Sequence, residues 1–313
     1  MDDSRSGRPR SLTGEQTIGE LTTLGEPCEP FGELSFFKMI DVFYDKAYAL
    51  DEEGAEAFLL EGMDTMAEIR AAVLACRRLE KPIMVMLDVK DEDIDTMGGR
   101  ELAYLISLQD IGVSAFGLRS EDGECLKELL KQLYPYSRIP LFVRPEAGKV
   151  IANEIRQFIA CGVEMFDCRG ISPAEQQVVK VETDRADFES MRSRKEDISF
   201  IAANEEQAFF LNPERISFSP QIDIECDMAS ELVDFEDESF DVISILIETF
   251  DDGFRFSQNM HYLSRPIMFS TTNAEALRMA LQYYNGRALV DAKCGIEENE
   301  LKEIADEFGA IVY

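Results

Sequence analysis

Between Phe36 and Val181 the chain repeats one unit at intervals of about 25–35 residues: an amphipathic helix, a glycine-containing turn, then a short apolar strand ending on a polar residue. The pattern predicts helices over Phe36–Asp51, Met66–Leu79, Arg100–Ile111, Leu126–Tyr134 and Ile151–Ala160. Strands are expected at Ala57–Leu60, Pro82–Leu87, Ser114–Leu118, Ile139–Val143 and Val163–Phe166. Strands separated by single helices pair in parallel through right-handed crossovers. This implies an α/β fold whose economical closure is a (β/α) barrel, TIM-barrel-like but incomplete at about six βα units. An open arc of six units leaves two unpaired edges, so a protein partner or a homo-oligomer is expected to cover them.

Composition marks the boundaries. Residues 1–16 are polar and read as a flexible tail, 17–182 as the barrel, and 183–197 as a charged linker. Residues 198–313 read as a smaller, acidic α/β domain: positions 196–313 hold 25 acidic and 7 basic residues, a net of −18. Its expected strands are Asp241–Ile247, Pro266–Ser270, Arg287–Asp291 and Ala310–Tyr313, alternating with helices at Asp251–Leu263, Ala274–Tyr284 and Glu297–Phe308.

Charge narrows the functional classes. With 62 acidic against 31 basic residues and a formal net charge of −31, the surface repels phosphate backbones and anionic lipid, so neither nucleic acid nor membrane is an expected partner. The single histidine, His261, cannot build a two-histidine metal site, and a surface or capping role is expected for it. Seven cysteines at positions 28, 76, 125, 161, 168, 226 and 294 contain no CxxC pair, which favours a reducing, cytoplasmic location over a disulfide framework. The acidic clusters Asp91–Asp95 and Glu236–Glu238 lack calcium-loop spacing.

One local reversal stands out in so acidic a chain. The strand ends FGLR, FVR and DCR place Arg119, Arg144 and Arg169 on one rim of the sheet. Carboxyl ends of parallel strands are where ligands bind, and guanidinium forks match carboxylates, so these residues predict a site for a small amino acid or anion. The competing reading is that they neutralise Glu61, Asp88, Glu146 and Asp167 on the same rim.

Five segments carry a resemblance in one order: GEPCEPFGELSF (Gly25–Phe36), GAEAFLLEGMDTMAEIRAAVLA (Gly54–Ala75), FGLRS (Phe116–Ser120), PLFVRPEAG (Pro140–Gly148) and DCRGISPAE (Asp167–Glu175). Together they resemble the homocysteine-binding barrel of the homocysteine S-methyltransferase and methionine synthase family. The resemblance implies methyl transfer to the homocysteine thiol, held as a thiolate on a zinc ion bound by three cysteines. It places Glu61 where the family holds the amino group of homocysteine. It also places Ser120, Cys168 and Arg169 at the three zinc-ligand positions, so one thiol of three is retained, as a possible remnant ligand. Two readings follow: a methyltransferase, or a non-catalytic member that binds a ligand or partner through the rim. Pro266–Tyr313 is similar to part of the pterin-binding barrel of cobalamin-dependent methionine synthases, but Ser270 stands in place of its aspartate and Asp291 in place of its asparagine. No folate or cobalamin site is expected.

Overall fold

A computed structural model describes residues 17–29, 31–89, 99–224, 228–236 and 238–313. The expected tail at 1–16, the Asp91–Asp95 cluster and Asp237 of the second cluster lie outside the described residues.

The first unit is a six-stranded parallel sheet: β1 (Ile18–Leu21), β2 (Ala57–Glu61), β3 (Ile83–Asp88), β4 (Ala115–Arg119), β5 (Leu141–Val143) and β6 (Val163–Phe166). Each strand pairs with the next in sequence, and successive strands are joined by α1 (Phe36–Glu52), α2 (Met66–Arg77), α3 (Arg100–Gln109), α4 (Gly123–Leu133) and α5 (Ala152–Ala160). The helix starts are written locally. Ser35, Thr65 and Asp122 accept from the first-turn amides of α1, α2 and α4, and Ser172 forms a capping box with Glu175 at the start of α6 (Pro173–Arg185). The stretch assigned to a linker holds the end of α6 and a short helix, α7 (Phe188–Arg192).

Both faces of this sheet are buried, so its strands read as continuous apolar runs. Phe58, Leu60, Val85, Leu87, Phe116, Leu118 and Val143 face the helices in one large core. Leu59, Met84, Met86, Ala115, Phe142 and Met165 form a smaller cluster on the other face. Gly117 belongs to that inner face: a Cβ there would come within 2.5 Å of the Phe142 ring, so the absent side chain is what admits the phenyl group. The strand order is that of consecutive barrel strands; β1 and β6 stand at its ends, with no ladder between them among the described residues.

The second unit opens with an antiparallel hairpin, β7 (Ile201–Ala203) and β8 (Ala208–Phe210). There follow β9 (Ile222–Asp223), α8 (Met228–Glu236), β10 (Ile243–Leu246), α9 (Phe250–Ser257), β11 (Ile267–Ser270), α10 (Ala274–Tyr283), β12 (Leu289–Val290), α11 (Glu298–Phe308) and β13 (Ile311–Val312). Strands β9 to β13 make a second parallel sheet, again in sequence order. Its helix-free face is closed: Val242, Leu289 and Ile311 pack against Ala202, Phe200, Phe209, Phe218 and Tyr313. The helix expected over Asp251–Leu263 stops at Ser257, and His261 lies in a separate 3-10 turn, Met260–Tyr262.

Arginines join the two units. Fully buried Arg70 on α2 donates to the carbonyls of Leu281 (3.0 Å) and Gly286 (3.5 Å), and Arg77 donates to Glu307 O (2.9 Å). Arg287 donates to the carbonyls of Gly309, Ile198 and Ile201 and lies 3.1 Å from Asp110 Oδ2. Beside it, Gly286 allows close backbone contact, since a Cβ there would meet Ala203 O at 2.1 Å. Burial pulls Arg70 down to about 10, which leaves it protonated at neutral pH.

Candidate functional site at the strand ends

Side chains alternate across a strand, so the residue two positions beyond each inner-face residue faces the same way. Leu59 is followed by Glu61, Met86 by Asp88, Gly117 by Arg119, Phe142 by Arg144 and Met165 by Asp167. The apolar inner cluster thus ends in a charged layer at the carboxyl ends of the strands. A cleft of about 1060 Å³ opens over it, lined in part by Asp88, Arg119, Ser120, Arg144, Lys149 and Arg169. All three predicted rim arginines are brought together there.

Their partners are carboxylates. Arg144 donates from Nε to Asp167 Oδ2 and from Nη2 to Glu61 Oε2, both at 2.8 Å. Arg169 makes a two-pronged contact with Asp167, from Nε to Oδ1 and from Nη2 to Oδ2, each at 2.8 Å, and its Nη1 bonds Glu20 of β1. This last contact links the first strand's inner face to the segment after β6. Arg119 forms a similar fork with Asp88, at 2.6 and 2.9 Å, but both side chains are nearly half exposed. Glu146 also lines the cleft and pairs with Lys149 at 2.8 Å, not with a rim arginine.

Asp167 is fully buried, and burial pushes its carboxyl up. The bonds from Arg169 and Arg144 outweigh that cost and hold it below its ordinary value. The same bonds raise Arg169, and Asp167 with Glu61 raises Arg144 against the opposing effect of its own burial.

The residues at the three positions where the family resemblance puts zinc do not make a zinc site. Cys168 is 1% exposed and packs in the helix-side core, on the opposite side of the chain from Asp167. Burial, and then the Asp167 charge, push its thiol up to about 11, away from the thiolate that a metal requires. Ser120 Oγ accepts from Asp122 N at 3.1 Å and shapes the turn into α4. The Arg169 guanidinium cannot ligate, and its charge opposes a dication. Among the described residues no group of three His, Cys, Asp or Glu side chains is placed to hold a metal ion. In the second unit, Ser270 Oγ donates to Asp291 Oδ2 at 3.2 Å, so these two residues engage each other.

Glu20 is the rim residue that sequence reading does not single out. Its signal is the alternation Ile18, Glu20 within a strand of four residues.

The homocysteine S-methyltransferase family profile matches residues 12–166, ending on the last residue of β6. The methionine synthase of Mycobacterium leprae is 28% identical over 131 residues, covering 40% of this chain and 11% of that protein. The methionine synthase of Mycobacterium tuberculosis is 27% identical over 131 residues, with the same coverage. The chain therefore aligns with only about a tenth of the length of either relative. Residues 12–166, within which the six-stranded sheet lies, are a homocysteine S-methyltransferase family domain.

Proposed function

We propose that this chain is a ligand-binding member of the family that takes a small amino acid or related anion in the strand-end cleft and does not itself transfer methyl groups. The observation that carries the reading is the charged layer itself: of the three positions where the family resemblance puts zinc ligands, Arg169 is locked to Asp167, which Arg144 also holds, while Cys168 faces the helices. Arg119 is the natural carboxylate receptor. Its pair with Asp88 is solvent-exposed, and such pairs contribute only about 0–1 kcal/mol, so a ligand carboxylate can share or displace it. Glu61 keeps Oε1 free of protein donors among the described residues and is suited to an ammonium group. The Arg144–Asp167–Arg169 cluster, built on the buried Asp167, is the fixed floor of this site.

The test is calorimetric titration of L-homocysteine, L-methionine and inorganic phosphate into wild type and into an Arg119→Ala, Glu61→Gln double variant. Saturable binding of one of them by wild type, weakened at least tenfold in the variant, supports the reading; no saturable binding of any of the three ends it.

A second reading, methyl transfer to the homocysteine thiol, is favoured by the profile match and by the position of Glu61. Near-stoichiometric zinc after purification under reducing conditions, together with homocysteine-dependent methyl transfer, would replace the first reading with this one.

The consecutive strand order supports a (β/α) barrel arc for the first unit, with a second copy or a protein partner over the edges β1 and β6. Mass measurement in solution tests that. Six described cysteines are unbonded, in keeping with a cytoplasmic setting.

A further inference from the structure

A second cavity, of about 410 Å³, lies where the two units meet, away from the strand-end cleft. Its wall is drawn from both units: Cys28, Phe31 and Thr65 from the first, and Glu205, His261 and Asn285 from the second. We propose that this cavity is a binding site for a small organic cation, a primary ammonium on an apolar or aromatic body, with Glu205 as its counter-ion.

Glu205 has no cation within ion-pair distance among the described residues; Arg100 attracts it only from farther off. Glu205 accepts from Met66 N at 3.3 Å and from Asn285 Nδ2 at 3.4 Å, both long. A carboxylate withdrawn from water needs a proton or a cation, and burial accordingly raises its pKa. Asn285 cannot relieve the shortage by turning over, because its oxygen would then face the carboxylate. As placed, Asn285 Oδ1 is itself buried without a donor. The cavity therefore has a surplus of acceptors, which a ligand rich in N–H donors would meet.

The remaining wall suits the body of such a ligand. Phe31 is 73% exposed and packs against His261 in a T-shaped contact at a centroid distance of 5.3 Å; Met260, Leu263 and Tyr284 add apolar surface. Glu29 and Glu206 also line the cavity, so three carboxylates surround it, with Arg100 the cation that acts on Glu205 from farther off. Aromatic faces beside carboxylates are the usual environment of bound ammonium groups. A ligand seated there touches both units and would raise the stability of their junction by mass action.

The experiment is titration of benzylamine into the full chain, with benzyl alcohol as the neutral control of nearly the same shape. Saturable benzylamine binding is expected, at least tenfold tighter than that of benzyl alcohol and weakened at least tenfold in Glu205→Gln. Phe31 is exposed, so Phe31→Ala tests the aromatic wall without threatening the fold, and a threefold or greater loss is expected. Absence of saturable benzylamine binding to wild type overturns the proposal. So does equal affinity for the alcohol, or full affinity in Glu205→Gln or Phe31→Ala.

Discussion

The rim of the first sheet and the seam between the two units both concentrate arginine in a chain that has 31 basic residues against 62 acidic ones, yet they spend that charge differently. At the rim, Arg119, Arg144 and Arg169 are answered by ionised side chains: Glu20, Glu61, Asp88 and Asp167. At the seam, Arg70 and Arg77 are answered by backbone carbonyls, and Arg287 by carbonyls with the addition of Asp110. Leu281 and Glu307 lie in the last turns of α10 and α11, where helix carbonyls are unpaired and the helix dipole is negative. A carboxylate can be protonated, or displaced by a ligand's own carboxylate. A carbonyl at a helix end can be neither, so the rim is chemically adjustable at its exposed Arg119–Asp88 pair, above a fixed floor around Asp167, and the seam is fixed throughout.

The largest effect that separates them is expected from Arg70→Ala. It strands two carbonyls in a junction from which water is excluded, at about 1–3 kcal/mol each, so a total of about 3 kcal/mol is expected in urea unfolding. Arg70→Lys should recover little, because one ammonium cannot reproduce a planar fork over two acceptors. A loss below about 1 kcal/mol would show that the units hold together without this arginine.

Asp167→Asn should cost somewhat less, about 2 kcal/mol, because Arg144 and Arg169 keep some access to solvent when their shared carboxylate is neutralised. Its pH dependence identifies it. The folded-state pKa of Asp167 is depressed, so its stabilisation is present above the unfolded value of about 3.9 and is lost as pH falls through the lower folded value. The gap between wild type and Asp167→Asn, measured by thermal unfolding, should therefore close on acidification. A gap independent of pH would assign the loss to packing.

Much of this comparison was open to sequence reading on the rim side and closed to it on the seam side. The strand expected at Val163–Phe166 is β6, and those expected at Ala57–Leu60, Pro82–Leu87 and Ser114–Leu118 lie within one residue of β2, β3 and β4. These strands are buried on both faces, and their apolar runs are unmistakable. Once strand ends are known, period-two alternation places Arg119, Arg144 and Asp167 on one face. Strand β1 was missed because Ile18–Leu21 is short, includes a glycine and buries only one large apolar side chain, Leu21; with it went Glu20. The hairpin β7–β8 was missed because three-residue strands carry almost no periodicity. The seam arginines left no local signal. Arg70 lies within a helix, and its acceptors are more than two hundred residues away, so spacing could not reveal that it is buried.

Glu205→Gln should reverse the sign seen for Asp167. Burial raises the folded-state pKa of Glu205, so the ionised group costs stability at neutral pH and that cost is relieved as pH falls through the folded value. Without ligand, the glutamine variant should be more stable than wild type by about 1 kcal/mol near pH 7, a lead that shrinks on acidification. A less stable glutamine variant would mean that the two long bonds to Glu205 outweigh its desolvation.

The smallest expected effect on stability is that of Arg119→Ala, and its smallness is informative. The fork to Asp88 has short bonds, but both partners are nearly half exposed, and exposed pairs of this kind contribute about 0–1 kcal/mol because solvent screens them. Unfolding by urea should therefore move by at most a few tenths of a kcal/mol, while affinity for a carboxylate ligand falls tenfold or more. That divergence would place Arg119 among the residues that bind rather than those that hold the fold. A stability loss as large as that of Asp167→Asn would instead join Arg119 to the buried cluster and remove the distinction between an adjustable rim and a fixed floor.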